Sequence, residues 1–217
     1  MATADGPDYF NVTGVAADDV LNIRAAPMAS GTLIGTIPAD GDGIANLGCI
    51  GGLTLAEWEQ ATEAERTAAA KTRWCRVGYD RTIGWAAGWF LTEGGHDDHF
   101  GAGGVLGTIA GSEWQLRDFA GETPSAEAWI SFGADNAVGG NGGCNSFNGT
   151  HTLGQDAALF SAIAATRKMC PDNQMETETR LFQVLGAARG MVSYHLVMAL
   201  FEANGTLLAT FTRRDPD

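Results

Sequence analysis

The sequence has no hydrophobic run long enough to cross a membrane, and it has few basic residues. Its longest apolar run, Leu196 to Phe201, has the length of a strand, whereas a transmembrane helix needs roughly 18 apolar residues. The 217 residues contain 13 Lys and Arg against 26 Asp and Glu, which gives a net charge of −13. Since no apolar run is long enough, we expect no transmembrane segment. Because the negative charge repels phosphate groups and anionic lipid heads, we also expect no nucleic-acid partner.

Several signatures of metal and phosphate sites are also missing. No C-x-x-C pair is present to mark a zinc site. His96, Asp97, Asp98 and His99 are candidate metal ligands, but they lie in a glycine-rich segment that holds no fixed geometry. The stretch GGNGGCNSFNGT (139–150) lacks the lysine of a phosphate-binding loop. We therefore expect no metal and no cofactor.

The few cysteines carry information about compartment. Cys49 and Cys75 lie in the first half, and Cys144 and Cys170 in the second. Four cysteines allow three pairings, and their even distribution favours one disulfide in each half. The N-terminal sequence MATADGPDYF has no signal-peptide pattern. This leaves a cytosolic protein with four thiols, or the mature form of an exported one. We expect the exported form, in the periplasm or at the outer membrane, with its signal peptide or lipid anchor outside this sequence.

A change of composition separates the two halves. The segment GGHDDHFGAGG (94–104) is rich in glycine and has no apolar periodicity. It predicts a flexible linker between a first domain at 1–93 and a second at 105–217.

Short runs rich in β-branched and aromatic residues predict a small barrel in the first half. These runs cover residues 9–12, 21–24, 32–37, 43–47, 74–77 and 84–91. Thr54 and Glu57 form a capping-box pattern, and the helix formers EWEQATEAERTAAAKT follow. They predict one helix, inserted at about residues 50–73 between Cys49 and Cys75.

The segments LNIRAAPMASGTLIGTIPADG and WCRVGYDRTIGWAAGWFL resemble the bacterial SH3 domain family. The resemblance covers residues 9–93, although ordinary members carry a short hairpin loop in place of the helical insert. It implies an SH3-like small barrel that acts as a non-catalytic adaptor, with cell-wall peptide or glycan as its ligand.

Aromatic residues of this half are the candidates for ligand contact, because flat rings stack well on sugars and peptide backbones. Strands with a period of two place half of their aromatic residues in the core. We expect Trp85 and Phe90 to be mostly core. Tyr79 and Trp89 are predicted to bind ligand, together with Arg24 of the LNIR segment.

Six segments of the second half together resemble the META domain family of bacterial envelope proteins. They are SEWQLRDFAG, EAWISFG, GGNGGCNSFNGTHTL, LFSAIAATRKMCPD, METETRLFQVL and LFEANGTLLATF. The resemblance covers about residues 105–214. It implies an antiparallel, partly open β-barrel packed on one helix, with no established enzymatic activity. The family's G-G-C-N turn falls at Asn141, Gly142, Gly143 and Asn145, and residues 194–201 lack the usual turn between two strands.

Local patterns of the second half predict one helix and one hairpin. Asp172 is a candidate cap for a helix that runs to about Ala188, with Met175, Phe182 and Leu185 on one face. The pair Asn204-Gly205 predicts a hairpin turn.

Polar residues in this half have local structural explanations. We expect Arg167 and Lys168 to pair with Glu176 or Glu178. Asn141, Asn145 and Asn148 are predicted to hydrogen-bond the glycine-rich turn itself, and His195 is predicted to be half-buried in a strand.

A cysteine nucleophile is the strongest catalytic alternative. Cys144 would attack, His151 or His195 would act as the base, and Asp156 would orient it. A disulfide-bonded sulfur is not a thiolate, however, and no motif places Cys144 at a helix N-terminus. We therefore predict no catalytic residues and no enzyme.

These observations predict a non-catalytic binding or adaptor protein of the cell envelope, whose partner is cell-wall peptide or glycan or an envelope protein. The alternative is an inhibitor of a secreted hydrolase such as a lysozyme or protease, because an acidic protein is steered towards cationic enzymes. A less favoured alternative is a cell-wall hydrolase whose first half targets a catalytic second half.

Overall fold

The computed structural model describes residues 7–95, 109–152 and 159–214. The protein is mainly β, with two antiparallel sheets and few helices, and this confirms the predicted fold class. Contacts between Cα atoms divide the chain into two compact units, Met1–Gly103 and Gly104–Asp217. No helix in the described ranges is long and apolar enough to cross a membrane. Most of the predicted linker, from His96 onward, lies outside the described residues.

The first unit is built on a seven-stranded sheet with the strand order β3-β2-β6-β5-β4-β1-β7. Its strands are β1 (Tyr9–Val12), β2 (Val20–Arg24), β3 (Leu33–Pro38), β4 (Ile44–Ile50), β5 (Trp74–Tyr79), β6 (Thr82–Ala87) and β7 (Leu91–Glu93). Buried and accessible side chains alternate along β2, in which Leu21 and Ile23 are buried. This period of two places the remaining side chains of β2 on the opposite face.

Strand residues supply the core of the first unit, as the apolar runs predicted. The buried cluster includes Phe10, Leu21, Ile23, Ile37, Ile44, Val77 and Leu91. Trp85 is 1% exposed, so the prediction that it lies in the core is correct.

The predicted strand over residues 84–91 is interrupted by one turn of 3-10 helix, Gly88–Phe90. The backbone N–H of Gly88 donates to the carbonyl of Arg73 at 2.9 Å. A Cβ atom at Gly88 would lie 2.8 Å from Cγ of Arg73, so only glycine fits this close approach. The interruption directs β6 towards β2 and β5, whereas β7 pairs with β1.

The insert contains two helices where the sequence predicted one. Helix α1 spans Leu55–Gln60 and helix α2 spans Glu63–Ala70. The predicted capping box at Thr54 is present, and Thr62 forms a second one with Glu65. Thr62 has extended backbone angles. Because a capping residue cannot also continue the preceding helix, this second box divides the segment.

The Cys49–Cys75 disulfide closes the base of this insert, with a separation of 26 residues. The two cysteines are register partners on β4 and β5. This is the bridge predicted for the first half.

The second unit contains an eight-stranded sheet with the order β12-β11-β10-β9-β8-β15-β14-β13. Its strands are β8 (Ser112–Asp118), β9 (Trp129–Phe132), β10 (Ala137–Asn141), β11 (Ser146–His151), β12 (Phe160–Ala165), β13 (Gly190–Tyr194), β14 (Val197–Phe201) and β15 (Leu207–Arg214). Strands β12 and β13 are the two edges of this open sheet. One helix, α3 (Asp172–Ala187), accompanies it.

Helix α3 buries a stripe of side chains in the core of the second unit. Leu181, Val184 and Leu185 join the cluster that contains Trp114 and Phe211. The predicted stripe is only partly correct, because Leu185 is buried while Met175 and Phe182 are half-buried.

The predicted cap of α3 is wrong. Pro171 is the N-cap residue, without a side-chain hydrogen bond, and Asp172 is the first helical residue. The fixed φ of proline already suits the entry of the chain into a helix.

Two hairpins connect the last three strands. Tyr194 pairs with Val197, so His195 lies in a turn between β13 and β14, with a φ of +49°. The prediction that His195 lies within a strand is therefore wrong, and so is the prediction that residues 194–201 lack a turn between two strands. The turn predicted at Asn204-Gly205 joins β14 to β15, and Gly205 has a φ of +84°.

Candidate functional site

The first unit contains a cleft of about 470 Å³, a volume in the range of small-ligand sites. We call it the aromatic cleft. Strand β2, the start of β5 and the 3-10 helix contribute its main side chains, which are Asp19, Asn22, Arg24, Trp74, Trp89 and Phe90.

Three aromatic rings form one side of the aromatic cleft. The rings of Trp74 and Trp89 meet edge to face, with their centroids 5.7 Å apart. The centroid of Phe90 lies 5.8 Å from that of Trp89. All three side chains are half-buried and pack against the core of the unit. Because this packing restrains the rings, a ligand that stacks on them costs little side-chain entropy.

Polar groups of the aromatic cleft come from β2 and the residue before it. Asn22 and Arg24 lie on the face of β2 that points away from the buried Leu21 and Ile23. Arg24 Nη1 donates to the carbonyl of Gly31 at 2.9 Å, which fixes the guanidinium but leaves other donors available. Asp19 Oδ1 accepts a hydrogen bond from the amide of Val20. The described residues that line the cleft include no Cys, Ser or His.

The cleft brings together two of the predicted ligand residues, Arg24 and Trp89. Tyr79 does not line it and packs against the core of the first unit. Phe90, predicted to be mostly core, is half-buried and lines the cleft. Sequence reasoning missed Trp74 as a site residue, although its alternation with the buried Cys75 along β5 indicated an outward side chain.

The second unit places the family's glycine-rich turn in a hydrogen-bond network around Asn145. The backbone N–H of Asn145 donates to Glu178 Oε2 at 2.5 Å, and its Nδ2 donates to Glu178 Oε1 at 2.9 Å. Asn145 Oδ1 accepts from Thr166 Oγ1 at 2.8 Å and from the backbone N–H of Lys168 at 2.7 Å. These contacts join the turn, the segment before Cys170 and helix α3. We call them the Asn145 network.

Glycine residues of the turn allow Glu178 of helix α3 to lie close to the turn backbone. A Cβ atom at Gly142 would lie 2.9 Å from Cγ of Glu178. Gly143 has a φ of +116°, and its N–H donates to Asn141 Oδ1 at 2.8 Å. The turn residues predicted from the resemblance therefore have structural roles, and Asn148 lies exposed on β11 outside the network.

The predicted pairing of Glu178 with Arg167 or Lys168 is wrong. Glu178 is 8% exposed, and its carboxylate is bound by Asn145. Both basic side chains are exposed. A buried carboxylate requires hydrogen-bond donors close by. The turn supplies neutral donors, and burying them costs less desolvation free energy than burying a second charged side chain would.

The second disulfide joins Cys144 to Cys170 beside this network, as the sequence predicted. The sulfur of Cys144 is therefore no thiolate, which removes the nucleophile from the catalytic alternative. His151 is 4% exposed and lies edge to face with Phe132, while Asp156 lies outside the described residues. Among the residues that the structure describes, no group of three or more His, Cys, Asp or Glu side chains could hold a metal ion. The candidate ligands His96 to His99 are outside that part of the chain.

Matches to solved structures cover about half of the chain. An NMR structure of a protein from Burkholderia xenovorans is 19% identical with a TM-score of 0.41, and the match covers 50% of this chain and 85% of that one. A second NMR structure is 22% identical with a TM-score of 0.38, covering 48% and 90%. The crystal structure of a DUF4847 family protein from Bacteroides vulgatus is 15% identical with a TM-score of 0.38, covering 50% and 96%. No curated protein matches the chain.

The comparison with family models gives a match to the META domain at residues 107–215. The match contains the turn, the segment before Cys170 and the helix start that meet in the Asn145 network. Since it extends over half of the chain, the chain belongs to the META domain family.

Proposed function

We propose that this protein is a non-catalytic binding protein of the cell envelope, and that the aromatic cleft of its first unit binds a peptide or glycan of the cell wall. The observation that carries the proposal is the grouping of Trp74, Trp89 and Phe90 beside Arg24 and Asn22 in one cleft. Aromatic faces bind sugar rings and peptide planes, while the guanidinium and amide supply directional hydrogen bonds.

The two disulfides support a location outside the cytoplasm. Cys49–Cys75 and Cys144–Cys170 each close a loop within one unit. Disulfides persist in oxidising compartments such as the bacterial periplasm. Together with the META family's envelope association, they favour a periplasmic or outer-membrane-associated protein.

The resemblance of residues 9–93 to bacterial SH3 domains supports the choice of ligand. Members of that family serve as adaptors for wall peptides or glycan. Arg24 and Trp89, which lie in the segment with this resemblance, are the predicted ligand residues that line the aromatic cleft. Arg24 would bind a carboxylate of a wall peptide, because a guanidinium pairs with carboxylates in a directional manner.

Co-sedimentation of the full chain with purified peptidoglycan sacculi tests the proposal. The wild-type protein is expected to pellet, and Trp89→Ala and Arg24→Gln are each expected to reduce the bound fraction. Trp58→Ala is the matched control, because Trp58 is 51% exposed on α1 and does not line the aromatic cleft. A wild-type protein that stays in the supernatant, or cleft variants that pellet as well as the control, would contradict the proposal.

The insert favours one alternative function, inhibition of a cationic hydrolase. Its acidic residues Glu57, Glu59, Glu63 and Glu65 are exposed, and α2 has no buried residue. An exposed acidic surface raises the association rate with a cationic partner such as a lysozyme. Inhibition of lysozyme by the wild-type chain, relieved when the four glutamates are changed to Gln, would support this alternative.

A further inference from the structure

The second unit has a cleft of its own, which no part of the proposed function uses. Its volume is about 480 Å³. We call it the amide cleft, because four of its side chains carry amide groups. Its main lining residues are Gln115, Trp129, Asn141, Asn173, Gln174 and Arg214.

Strand register places three of these side chains in one row. Trp129 on β9 is the register partner of Gln115 on β8 and of Asn141 on β10. Directly opposite residues of antiparallel strands point to the same face of a sheet. The neighbouring Trp114 and Ile130 are buried in the core, so the row faces away from the core. The first turn of α3 contributes Asn173 and Gln174 next to this row.

Three amides of the cleft are held at one end by backbone hydrogen bonds. Gln115 Nε2 donates to the carbonyl of Ala128 at 2.9 Å. Asn141 Oδ1 accepts from the N–H of Gly143 at 2.8 Å. Asn173 Nδ2 donates to the carbonyl of Ser125 at 3.0 Å. Each amide thus has a fixed orientation.

The other end of each amide is available to a ligand. Within the described part of the chain, Gln115 Oε1, Asn141 Nδ2 and Asn173 Oδ1 have no hydrogen-bond partner. The set therefore offers two acceptors and one donor. A hydroxyl group can both donate and accept, so a ligand with several hydroxyls can satisfy this mixed set.

Trp129 supplies the flat apolar surface of the cleft. Its side chain is half-buried, and the guanidinium carbon of Arg214 lies 5.4 Å from its ring centroid. This cation–π contact restrains the indole. Glu127 and Arg214 are the charged side chains in the lining, and their charges offset each other. The cleft thus favours an uncharged polar ligand over an ion.

We infer that the amide cleft is a second binding site and that its ligand is an oligosaccharide. A restrained indole for stacking and fixed amides for hydroxyls are the two elements of sugar recognition. The amide cleft lies in a different unit from the aromatic cleft. This inference is therefore independent of whether the first unit binds wall material.

Isothermal titration calorimetry of the full chain tests this site. The probes are chitotetraose, an amino-sugar oligomer, and cellotetraose, a neutral hexose oligomer, with tetraalanine as the peptide comparison. At least one saccharide is expected to bind, and the one that binds more tightly identifies the sugar type. Trp129→Ala is expected to weaken binding about tenfold. Asn173→Ala, at an exposed position, is expected to weaken it about threefold, the value of one hydrogen bond.

Trp58→Ala is the matched control, because Trp58 is 51% exposed on α1 and lines neither the aromatic cleft nor the amide cleft. It is expected to bind the saccharide like wild type. The inference is overturned if neither saccharide binds at millimolar concentration, if only tetraalanine binds, or if Trp129→Ala and Asn173→Ala both bind like wild type. A loss of saccharide binding in Trp89→Ala alone would likewise overturn it and assign the sugar to the aromatic cleft.

Discussion

Asn145 connects segments of the second unit that are distant in the chain. Its side chain and backbone bind Glu178, and its side-chain oxygen accepts from Thr166 and Lys168. Asn145 is 2% exposed, so water cannot replace these bonds. A buried polar group that loses its partner retains the full cost of desolvation.

Asn145→Ala is expected to lower the free energy of unfolding of the second unit by about 3 kcal/mol. The substitution removes one of the two hydrogen bonds to the buried Glu178 carboxylate, together with the acceptor for Thr166 and Lys168. Urea-induced unfolding, followed by the indole NMR signals of Trp114 and Trp129, measures the change.

Asn148→Ala provides the control for this prediction. Asn148 is exposed on β11, three residues from Asn145, and surface substitutions of this kind change stability by about 0.5 kcal/mol or less. Equal effects of the two substitutions would contradict the role assigned to the Asn145 network.

At the residue scale, the prediction was correct for Asn141 and Asn145, which serve the turn, and wrong for Asn148, which lies outside the network, and it missed Glu178 as the most important partner. Asn-Gly patterns are local, so hydrogen bonds within the turn were predictable for Asn141 and Asn145. Glu178 lies 33 residues away from Asn145, and charge alone favoured Arg167 or Lys168 as its partner. The backbone path decides which donor reaches the carboxylate, and no local pattern encodes that path.

The insert helices α1 and α2 depend on two carboxylates at their N-termini. Hydrogen bonds from the Thr54 side chain and backbone hold the pKa of Glu57 below its ordinary value of 4.5. The backbone and side chain of Thr62 do the same for Glu65, whose pKa is also lowered from 4.5. A carboxyl with a lowered folded pKa contributes stability above its unfolded pKa, and this contribution is lost as the pH falls through the folded pKa.

We therefore expect the insert helices to lose their caps on acidification below pH 4.5, the ordinary value for both groups. The amide protons of Thr54 and Thr62 donate to these carboxylates, so their NMR shifts report the titration. The midpoints are expected to lie below 4.5.

Glu57→Gln/Glu65→Gln is the matched variant, because Gln keeps the capping-box geometry without a titrating group. Its Thr54 and Thr62 shifts are expected to stay constant through the same pH range. Midpoints at or above the ordinary value in the wild-type chain would show that the boxes do not stabilise the charged form.

At the element scale, the existence of most strands was predictable and their interruptions were not. Runs such as residues 9–12 and 21–24 match β1 and β2 closely. The break between α1 and α2 at Ala61 could have been predicted from the sequence, since Thr62 and Glu65 repeat the capping-box pattern of Thr54 and Glu57. The 3-10 turn at Gly88 could not be predicted from the sequence. It depends on the hydrogen bond between the Gly88 N–H and the carbonyl of Arg73, which lies on another segment.

Each unit of the molecule has its own core and its own disulfide. Cys49–Cys75 and Cys144–Cys170 both join residues 26 positions apart. In the chain-entropy model, a loop of this length contributes about 3.5 kcal/mol. Cys49→Ala/Cys75→Ala is therefore expected to destabilise the first unit by about 3.5 kcal/mol and to leave the second unchanged.

Urea unfolding followed by indole NMR signals separates the two units, because Trp85 reports on the first and Trp114 on the second. Cys144→Ala/Cys170→Ala is the reciprocal variant, with the same loop length and the opposite expected pattern. If either variant lowers the urea midpoints of both units equally, the two units do not unfold separately.

The sequence by itself determined the mainly β class and the membership of the second half in its family, and it favoured the two cysteine pairs that the structure contains. These features follow from composition, period-two patterns and local motifs, which depend on residues close together in the chain. Tertiary structure alone decided that Trp74, Trp89 and Arg24 share one cleft, that Gln115, Trp129 and Asn141 form one row, and that Glu178 binds Asn145. Each of these groupings depends on strand register and close backbone approach between distant segments, and those are set only when the cores pack.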